Sequence, residues 1–198
     1  GAIARAVHAG RRYRASARRL KQMRTLLLDR DGVINQDSRD YIRSPNHWRA
    51  LPGALEAMAR AQRAGFRLVV VSNQSGLARG LFSIRELNAI HQRLCDELAR
   101  FGGRIEAFFF CPHLPSEHCN CRKPRAGLLL SLGERLGIDL TRTTFIGDRI
   151  SDVRAAMSVG ARPMLVRTGI DPINPDELAP CGPVEIFDAL PAAVAALV

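Results

Sequence analysis

No apolar run in the 198 residues approaches the roughly 20 needed to cross a bilayer, and the N-terminus lacks the apolar core of a secretory signal. Both absences argue against a helical membrane protein or an exported one, so the expectation is a soluble, cytoplasmic chain with no membrane partner. Acidic residues are missing from the first 22 positions, which hold Arg5, Arg11, Arg12, Arg14, Arg18, Arg19 and Lys21. Taking those seven charges from the overall +10 leaves +3, so the basicity is local. Aromatics are also scarce there, Tyr13 apart, and a basic stretch without aromatic interleaving makes a weak case for a nucleic-acid partner. An Arg-rich targeting peptide or a frayed helix stays open for the same residues. Beyond them no internal repeat or low-complexity block occurs, which excludes a solenoid or an array.

What is there suits one globular domain. With 46% hydrophobic residues the chain is not of disordered composition, and its length allows a single core with helices on both faces of a sheet. Met23 opens the run Met-Arg-Thr-Leu-Leu-Leu-Asp, so the domain is expected over 23–198, with 1–22 an upstream extension. Short apolar runs at Thr25–Leu28, Arg67–Val71, Ala107–Phe110, Thr144–Ile146 and Met164–Val166 have the pattern of strands covered on both faces. Between them, apolar residues at three and four spacing predict helices over Ala54–Ala64, Ile84–Ala99, Leu128–Leu136 and Ser151–Ser158. Ser83 and Glu86 form a capping-box pair. Val184–Phe187 reads as a sixth strand at the sheet edge, before a closing helix through Ala192–Leu197. Strand-helix alternation implies an α/β fold with a mainly parallel sheet and right-handed crossovers.

Three strand ends carry polar residues suited to chemistry. Asp29-Arg30-Asp31-Gly32 follows Leu26–Leu28, placing two carboxylates where open α/β sheets keep their sites. Val69–Val71 leads into Ser72-Asn73-Gln74-Ser75-Gly76, and Thr144–Ile146 ends on Gly147-Asp148. Arg122-Lys123-Pro124 supplies cations just before a helix. Each piece alone is ordinary turn or cap chemistry, but in this order they compose a phosphate site.

Of five cysteines, three join a histidine in Cys111-Pro112-His113 and Cys119-Asn120-Cys121. Three thiolates and an imidazole within eleven residues match a tetrahedral Cys3His zinc site with every position filled, hence structural. The competing disulfide is disfavoured because Cys119 and Cys121 are too close in sequence to pair comfortably. Cys121 directly precedes Arg122 and Lys123, so closing the loop on zinc would fix both cations. His118 ranks below His113 as the ligand; Cys95 and Cys181 are bystanders.

These motifs resemble the haloacid dehalogenase-like (HAD) phosphohydrolases, and, from about Met23 to Gly169, the D-glycero-D-manno-heptose-1,7-bisphosphate 7-phosphatases among them. The resemblance rests on Asp29-x-Asp31-Gly32, Ser72 through Gly80, the Cys-His-Cys-Cys loop running into Lys123-Pro124, Ile146-Gly147-Asp148 and Val166-Arg167-Thr168-Gly169. It implies a HAD-like Rossmannoid three-layer sandwich. The 43 positions from Asp29 to Ser72 and the 51 from Ser72 to Lys123 leave no room for a separate cap domain. The histidinol-phosphate phosphatases are similar too, and the five residues between His113 and Cys119 look like their spacing.

The activity implied is removal of the 7-phosphate from a small sugar bisphosphate. By resemblance Asp29 is the nucleophile and Asp31 the acid and base, while Ser72 and Lys123 steady the transferring phosphoryl group. A phosphate dianion near Asp29, Asp31 and Asp148 meets repulsion of about 4 kcal/mol per unit pair at ~4 Å and an effective dielectric of ~20, so a counter-cation is required. Mg2+ suits an oxygen shell of this kind. The resemblance gives it the Asp29 side chain, the Asp31 carbonyl and the Asp148 side chain, with Asp152 either near the ion or simply in the first turn of its helix. Asp31 is expected to begin protonated, its pKa raised by neighbouring carboxylates. An uncapped site would read its substrate through Asp37 to Tyr41, Asn73, Gln74, Ser75, Arg122 and Arg149, the two arginines taking a remote phosphate. Alternatives kept open are histidinol phosphate, nucleic-acid ends, and a zinc-stabilised nucleic-acid-binding module. A parallel sheet covered on both faces gives no oligomer signal, and monomer is the default.

Overall fold

The computed structural model describes residues 24–198, so the expectations for the basic stretch 1–22 and for Met23 lie outside the described residues. Six strands, β1 (Arg24–Leu28), β2 (Phe66–Asn73), β3 (Ala107–Cys111), β4 (Thr143–Gly147), β5 (Arg162–Val166) and β6 (Glu185–Phe187), form one sheet in the order β3-β2-β1-β4-β5-β6. Every pairing is parallel, with Leu27 of β1 opposite Val69 of β2 and Phe145 of β4. The carboxyl ends therefore share one edge. The strand order reverses at β1, and the crevice beside it is where such sheets bind ligands.

The central strands are apolar along most of their length because both faces are covered. Leu26, Leu27 and Leu28 are all fully buried, yet they belong to two cores, since successive side chains point to opposite faces. Leu26 and Leu28 meet Met58 of α1 (Ala54–Arg63), Ile90, Leu94 and Leu98 of α2 (Ile84–Ala99), and Leu190 and Val194 of α6 (Leu190–Ala195). Leu27, Val69, Val71 and Phe145 pack on the other side against Leu128, Leu129 and Leu132 of α3 (Gly127–Leu136) and Ala155 and Ala156 of α4 (Ile150–Ser158). The result is the expected three-layer sandwich.

Helix α2 starts where the capping box places it: the Ser83 hydroxyl accepts from the Glu86 N–H at 3.2 Å, and the Glu86 carboxylate accepts from the Ser83 N–H at 2.6 Å. The edge strand β6 falls within the expected stretch. The closing helix starts two residues earlier than the pattern suggests, at Leu190, because Pro191 is at home in a first helical turn. A short helix, α5 (Pro175–Leu178), was not read from the sequence; its single turn is too brief for any periodicity, although the Asn174 side chain accepts from the Asp176 N–H at 3.0 Å as its cap. Between β1 and β2 lie only a 3-10 turn (Pro45–His47) and α1, and between β2 and β3 only α2, so among the described residues no cap domain covers the crevice.

Candidate active site

Asp29 leaves the end of β1 with its N–H still bonded to the Ile146 carbonyl (3.0 Å), which fixes the strand end against β4. One carboxylate oxygen accepts from the Arg30 N–H (2.7 Å), and the other lies 3.1 Å from the Lys123 ammonium. Lys123 is 3% exposed and also contacts Asp152 (2.7 Å) and the Val71 carbonyl (2.9 Å), so its charge has one orientation. Asn73 holds the Lys123 backbone from both sides, accepting from its N–H (3.1 Å) and donating to its carbonyl (3.2 Å). Burial lifts the Asp29 pKa to about 7; Lys123 opposes the rise, and Asp152 and Asp31 add to it. Burial works against the Lys123 charge, but Asp152 and Asp29 outweigh it and raise the ammonium pKa.

Asp148, at the end of β4, is 3% exposed, and neither carboxylate oxygen has a hydrogen-bond partner. Its pKa is raised well above 3.8, first by burial and then by Asp29 and Asp152. Asp152 serves two ends at once: one oxygen accepts from the Arg149 N–H (3.1 Å) at the start of α4, and the other meets Lys123. Glycines make room for these acids. A Cβ on Gly32 would sit 2.5 Å from the Asp148 carboxylate, one on Gly169 2.2 Å, and one on Gly147 2.3 Å from Asp152. Carboxylate oxygens of Asp29, Asp148 and Asp152 all fall within 4.8 Å of one another. Buried, partly unsatisfied and all oxygen, the cluster suits a small hard cation; it brings together Asp29 and Asp148 of the expected set and adds Asp152 beside them.

Asp31 differs from expectation. Burial pushes its pKa up, but the Arg30 charge and hydrogen bonds from Asn35, Gln74 and Arg30 outweigh that and hold it below 3.8. Arg30 forks onto both carboxylate oxygens (3.0 and 2.8 Å), Asn35 adds a donor at 2.9 Å and Gln74 another at 2.9 Å. All four lone-pair sites are thus occupied, and the carboxylate in this arrangement is ionised. The expected upward shift fails because the nearest charge is a cation. Arg30, completely buried, is the site residue that sequence reading passed over; an arginine between two acids carries no mark in sequence that it turns inward.

The cleft above has a volume of about 440 Å3 and is lined by Asp29, Asp31, Asp37, Tyr41, Arg122 and Lys123, among others. Of the expected contact residues, Ser75 also lines it, while Ser72 is buried beneath, its hydroxyl 3.3 Å from the Gln74 amide. Asn73 and Gln74 border the cleft, but their side chains are spent on Lys123, Asp31 and Ser72, so they position the site rather than project freely into it. Arg149 is engaged as well: Asp37 lies at 2.9 Å, Asp171 at 3.5 Å and Asp148 at 3.6 Å, so a remote phosphate would have to compete with three carboxylates. Arg39, inside the expected loop Asp37 to Tyr41, pairs at 3.2 Å across the mouth with Asp171, which carries no signal in sequence. They belong to loops 132 residues apart, which only the fold brings together. Tyr41 adopts a left-handed φ of 64°, where a glycine would be unstrained.

At the other side of Lys123 the four expected zinc ligands converge. Cys111 Sγ lies 3.5 Å from His113 Nδ1, 3.5 Å from Cys119 Sγ and 3.3 Å from Cys121 Sγ; His113 Nδ1 to Cys121 Sγ is 3.2 Å and Cys119 to Cys121 3.5 Å. Sulfurs this far apart are not disulfide-bonded. They approximate the corners of a tetrahedron about an ion with short Zn–S and Zn–N bonds. Cys111 ends β3 and Cys121 precedes Arg122, so the knuckle lies between a strand end and the Arg122-Lys123 pair that lines the cleft.

A HAD-hydrolase-like family model matches residues 120–193. The D-glycero-β-D-manno-heptose-1,7-bisphosphate 7-phosphatase of Bordetella bronchiseptica is 47% identical over 147 residues, 74% of this chain and 82% of that protein. Its namesake from Pseudomonas aeruginosa is 44% identical over 172 residues, covering 87% and 96%. The crystal structure of the D,D-heptose 1,7-bisphosphate phosphatase from B. bronchiseptica, complexed with magnesium and phosphate, superposes with a TM-score of 0.81 at 43% identity, covering 88% of this chain and 98% of that one. With the strand-end acids, the buried lysine and the cysteine knuckle all in place on a shared fold, the chain belongs to the D-glycero-β-D-manno-heptose-1,7-bisphosphate 7-phosphatase family of HAD-like hydrolases.

Proposed function

We propose that the protein hydrolyses the 7-phosphate of D-glycero-β-D-manno-heptose 1,7-bisphosphate, acting as a monomer in the cytoplasm, with 23–198 as its catalytic domain and 1–22 as an upstream extension. The observation that carries the chemistry is the convergence of Asp29, Lys123 and Asp152 at one open cleft, with Asp148 buried directly beside the two acids. The substrate follows from relatives that are 44–47% identical.

Mg2+, which the Bordetella structure contains together with phosphate, would be held here by the Asp29 and Asp148 side chains and the Asp31 carbonyl. The ion supplies the positive charge that lets a dianion approach four carboxylates. A carboxylate oxygen of Asp29 attacks phosphorus, the bond from phosphorus to the sugar oxygen breaks, and Asp31 gives that oxygen a proton. Asp31 then takes a proton from water, whose oxygen attacks the phosphorus of the aspartyl-phosphate, releasing inorganic phosphate and the Asp29 carboxylate. Because four donors hold Asp31 ionised in the free protein, the proton it delivers is gained once the substrate dianion sits beside it, since like charge favours the neutral acid. Lys123 lines the cleft beside Asp29, where it would steady the transferring phosphoryl group, with Ser72 beneath supporting it as the resemblance implies. Lys123 is pre-oriented by Asp152 and Val71, so it loses little freedom on binding. Zinc at Cys111, His113, Cys119 and Cys121 would be structural, holding the loop that presents Arg122 and Lys123.

Phosphate release with magnesium, compared between heptose 1,7-bisphosphate and histidinol phosphate, tests the reading. A specificity constant dominated by the bisphosphate is expected; dominance of histidinol phosphate would transfer the chain's activity to that branch, and inactivity on both would reject a small-molecule phosphatase.

A further inference from the structure

Asp148 is held without any hydrogen bond to its carboxylate. Both oxygens are buried and unpaired, and the nearest cation, Arg149 Nε, stands 3.6 Å away, outside hydrogen-bond reach. What confines the carboxylate is a slot between two backbones. On one side is Gly32, in the turn after β1, with a φ of 82°. On the other is Gly169, in the turn after β5. The Cα of Gly169 would lie only 3.1 Å from a Cβ built on Gly32, so the two turns run side by side and the carboxylate rests against both.

One side chain joins these walls. The Thr168 hydroxyl donates to the Gly32 carbonyl at 2.6 Å, across 136 positions of sequence. The residue before it, Arg167, is fixed to the sheet edge by its N–H to the Phe187 carbonyl at 3.0 Å. Thr168 is thus anchored on the β5 and β6 side and reaches across to the turn carrying Asp29 and Asp31. Without its hydroxyl the Gly32 wall has no tie to the Gly169 wall beyond packing.

The geometry points to Thr168 as a positioning residue for the cation site: its hydroxyl clips Gly32 to Gly169 and so sets the width of the slot that aims the Asp148 carboxylate at the ion. The inference rests on the reading of Asp148 as a magnesium ligand. Residues that orient ligands from behind the coordination shell govern metal affinity, and loss of such support costs about 10- to 100-fold.

The test is magnesium affinity itself, measured by titration calorimetry on the full chain after dialysis into magnesium-free buffer, with no substrate present. Thr168→Val, which keeps the shape and removes the donor, should weaken magnesium binding about tenfold, and Thr168→Ser, which restores the hydroxyl, should return it to within about twofold of the parent. Gly169→Ala, whose methyl would meet the Asp148 oxygen at 2.2 Å, should weaken it about 100-fold. Unfolding midpoints without magnesium show that each variant is folded, and Thr168→Ala replaces Thr168→Val if the latter is not. Unchanged magnesium affinity in the variant lacking the hydroxyl overturns the clip, even if Gly169→Ala is impaired. Absence of magnesium binding in the parent overturns the ligand reading beneath it, a separate failure visible before any variant is made.

Discussion

The two metal-ready clusters among the described residues are built by opposite means. The cysteine knuckle takes its four donors from eleven consecutive residues, packs them 3.2 to 3.5 Å apart and leaves no position open. The acidic cluster draws Asp29, Asp148 and Asp152 from two strand ends and a helix start, and leaves both Asp148 oxygens without a hydrogen bond. A filled shell stabilises; an unsatisfied one is a site held ready at the expense of stability, because buried carboxylates without counter-charge disfavour the folded state. The lesson is that stability and chemistry have been separated by some residues of loop, with Lys123 as the joint between them.

The largest effect should come from Asp29→Asn. Turnover is expected to fall about 10^4-fold or more, as when a nucleophile is removed elsewhere, while the magnesium-free protein gains stability. The sign follows from the raised pKa: with Asp29 moved from 3.8 to about 7, the folded state binds the proton more tightly, so the stability it contributes is full at acid pH and is lost as pH rises through about 7. The asparagine variant should therefore gain most above pH 7, by about 2 kcal/mol after allowing for the partner Lys123 loses. Denaturant unfolding at pH 4 and pH 8 checks it, and an equal change at both would contradict the electrostatic origin.

Cys121→Ser tests the opposite arm. Loss of a structural ion should cost about 3 to 5 kcal/mol in unfolding free energy. Turnover should fall with it, since the Lys123 backbone is no longer held from the knuckle side; a stable variant with full turnover would break the link between the two clusters. Gln74→Leu is the next smaller change. It removes one donor from Asp31 and a contact to Ser72, and kcat should drop about tenfold with little loss of stability, as read by steady-state kinetics beside thermal unfolding.

His91 gives the smallest effect, and one unrelated to either metal. Burial, and after it Arg30, depress its pKa to about 3, while its ring stacks on Phe108 at 4.1 Å. Below pH 6.5 the unfolded chain takes up a proton that the folded one refuses, so stability is lost as pH falls from there toward 3. His91→Phe should flatten that slope, improving stability by about 1 to 2 kcal/mol at pH 5 relative to the parent. An unchanged acid limb would show that other groups set it.

Much of this architecture is legible in the chain. Leu26–Leu28 and Val69–Val71 announce strands covered on both sides, Ser83 and Glu86 announce a helix start, and Cys111 to Cys121 announce a cluster of metal-ligating side chains because all four are local. The acids at 29, 31 and 148 are legible as strand ends. Arg30 was not, since nothing in sequence tells a buried guanidinium from a solvated one, and the state of Asp31 was misjudged for that reason. Arg39 and Asp171 meet across 132 residues, and Thr168 reaches Gly32 across 136, distances at which no local pattern exists. Sequence alone determined the strands, the longer helices and the residue types at each strand end, because periodicity and short-range spacing are local properties. Only the tertiary structure decided which charges face one another, because a carboxylate's protonation and aim depend on neighbours delivered by other strands.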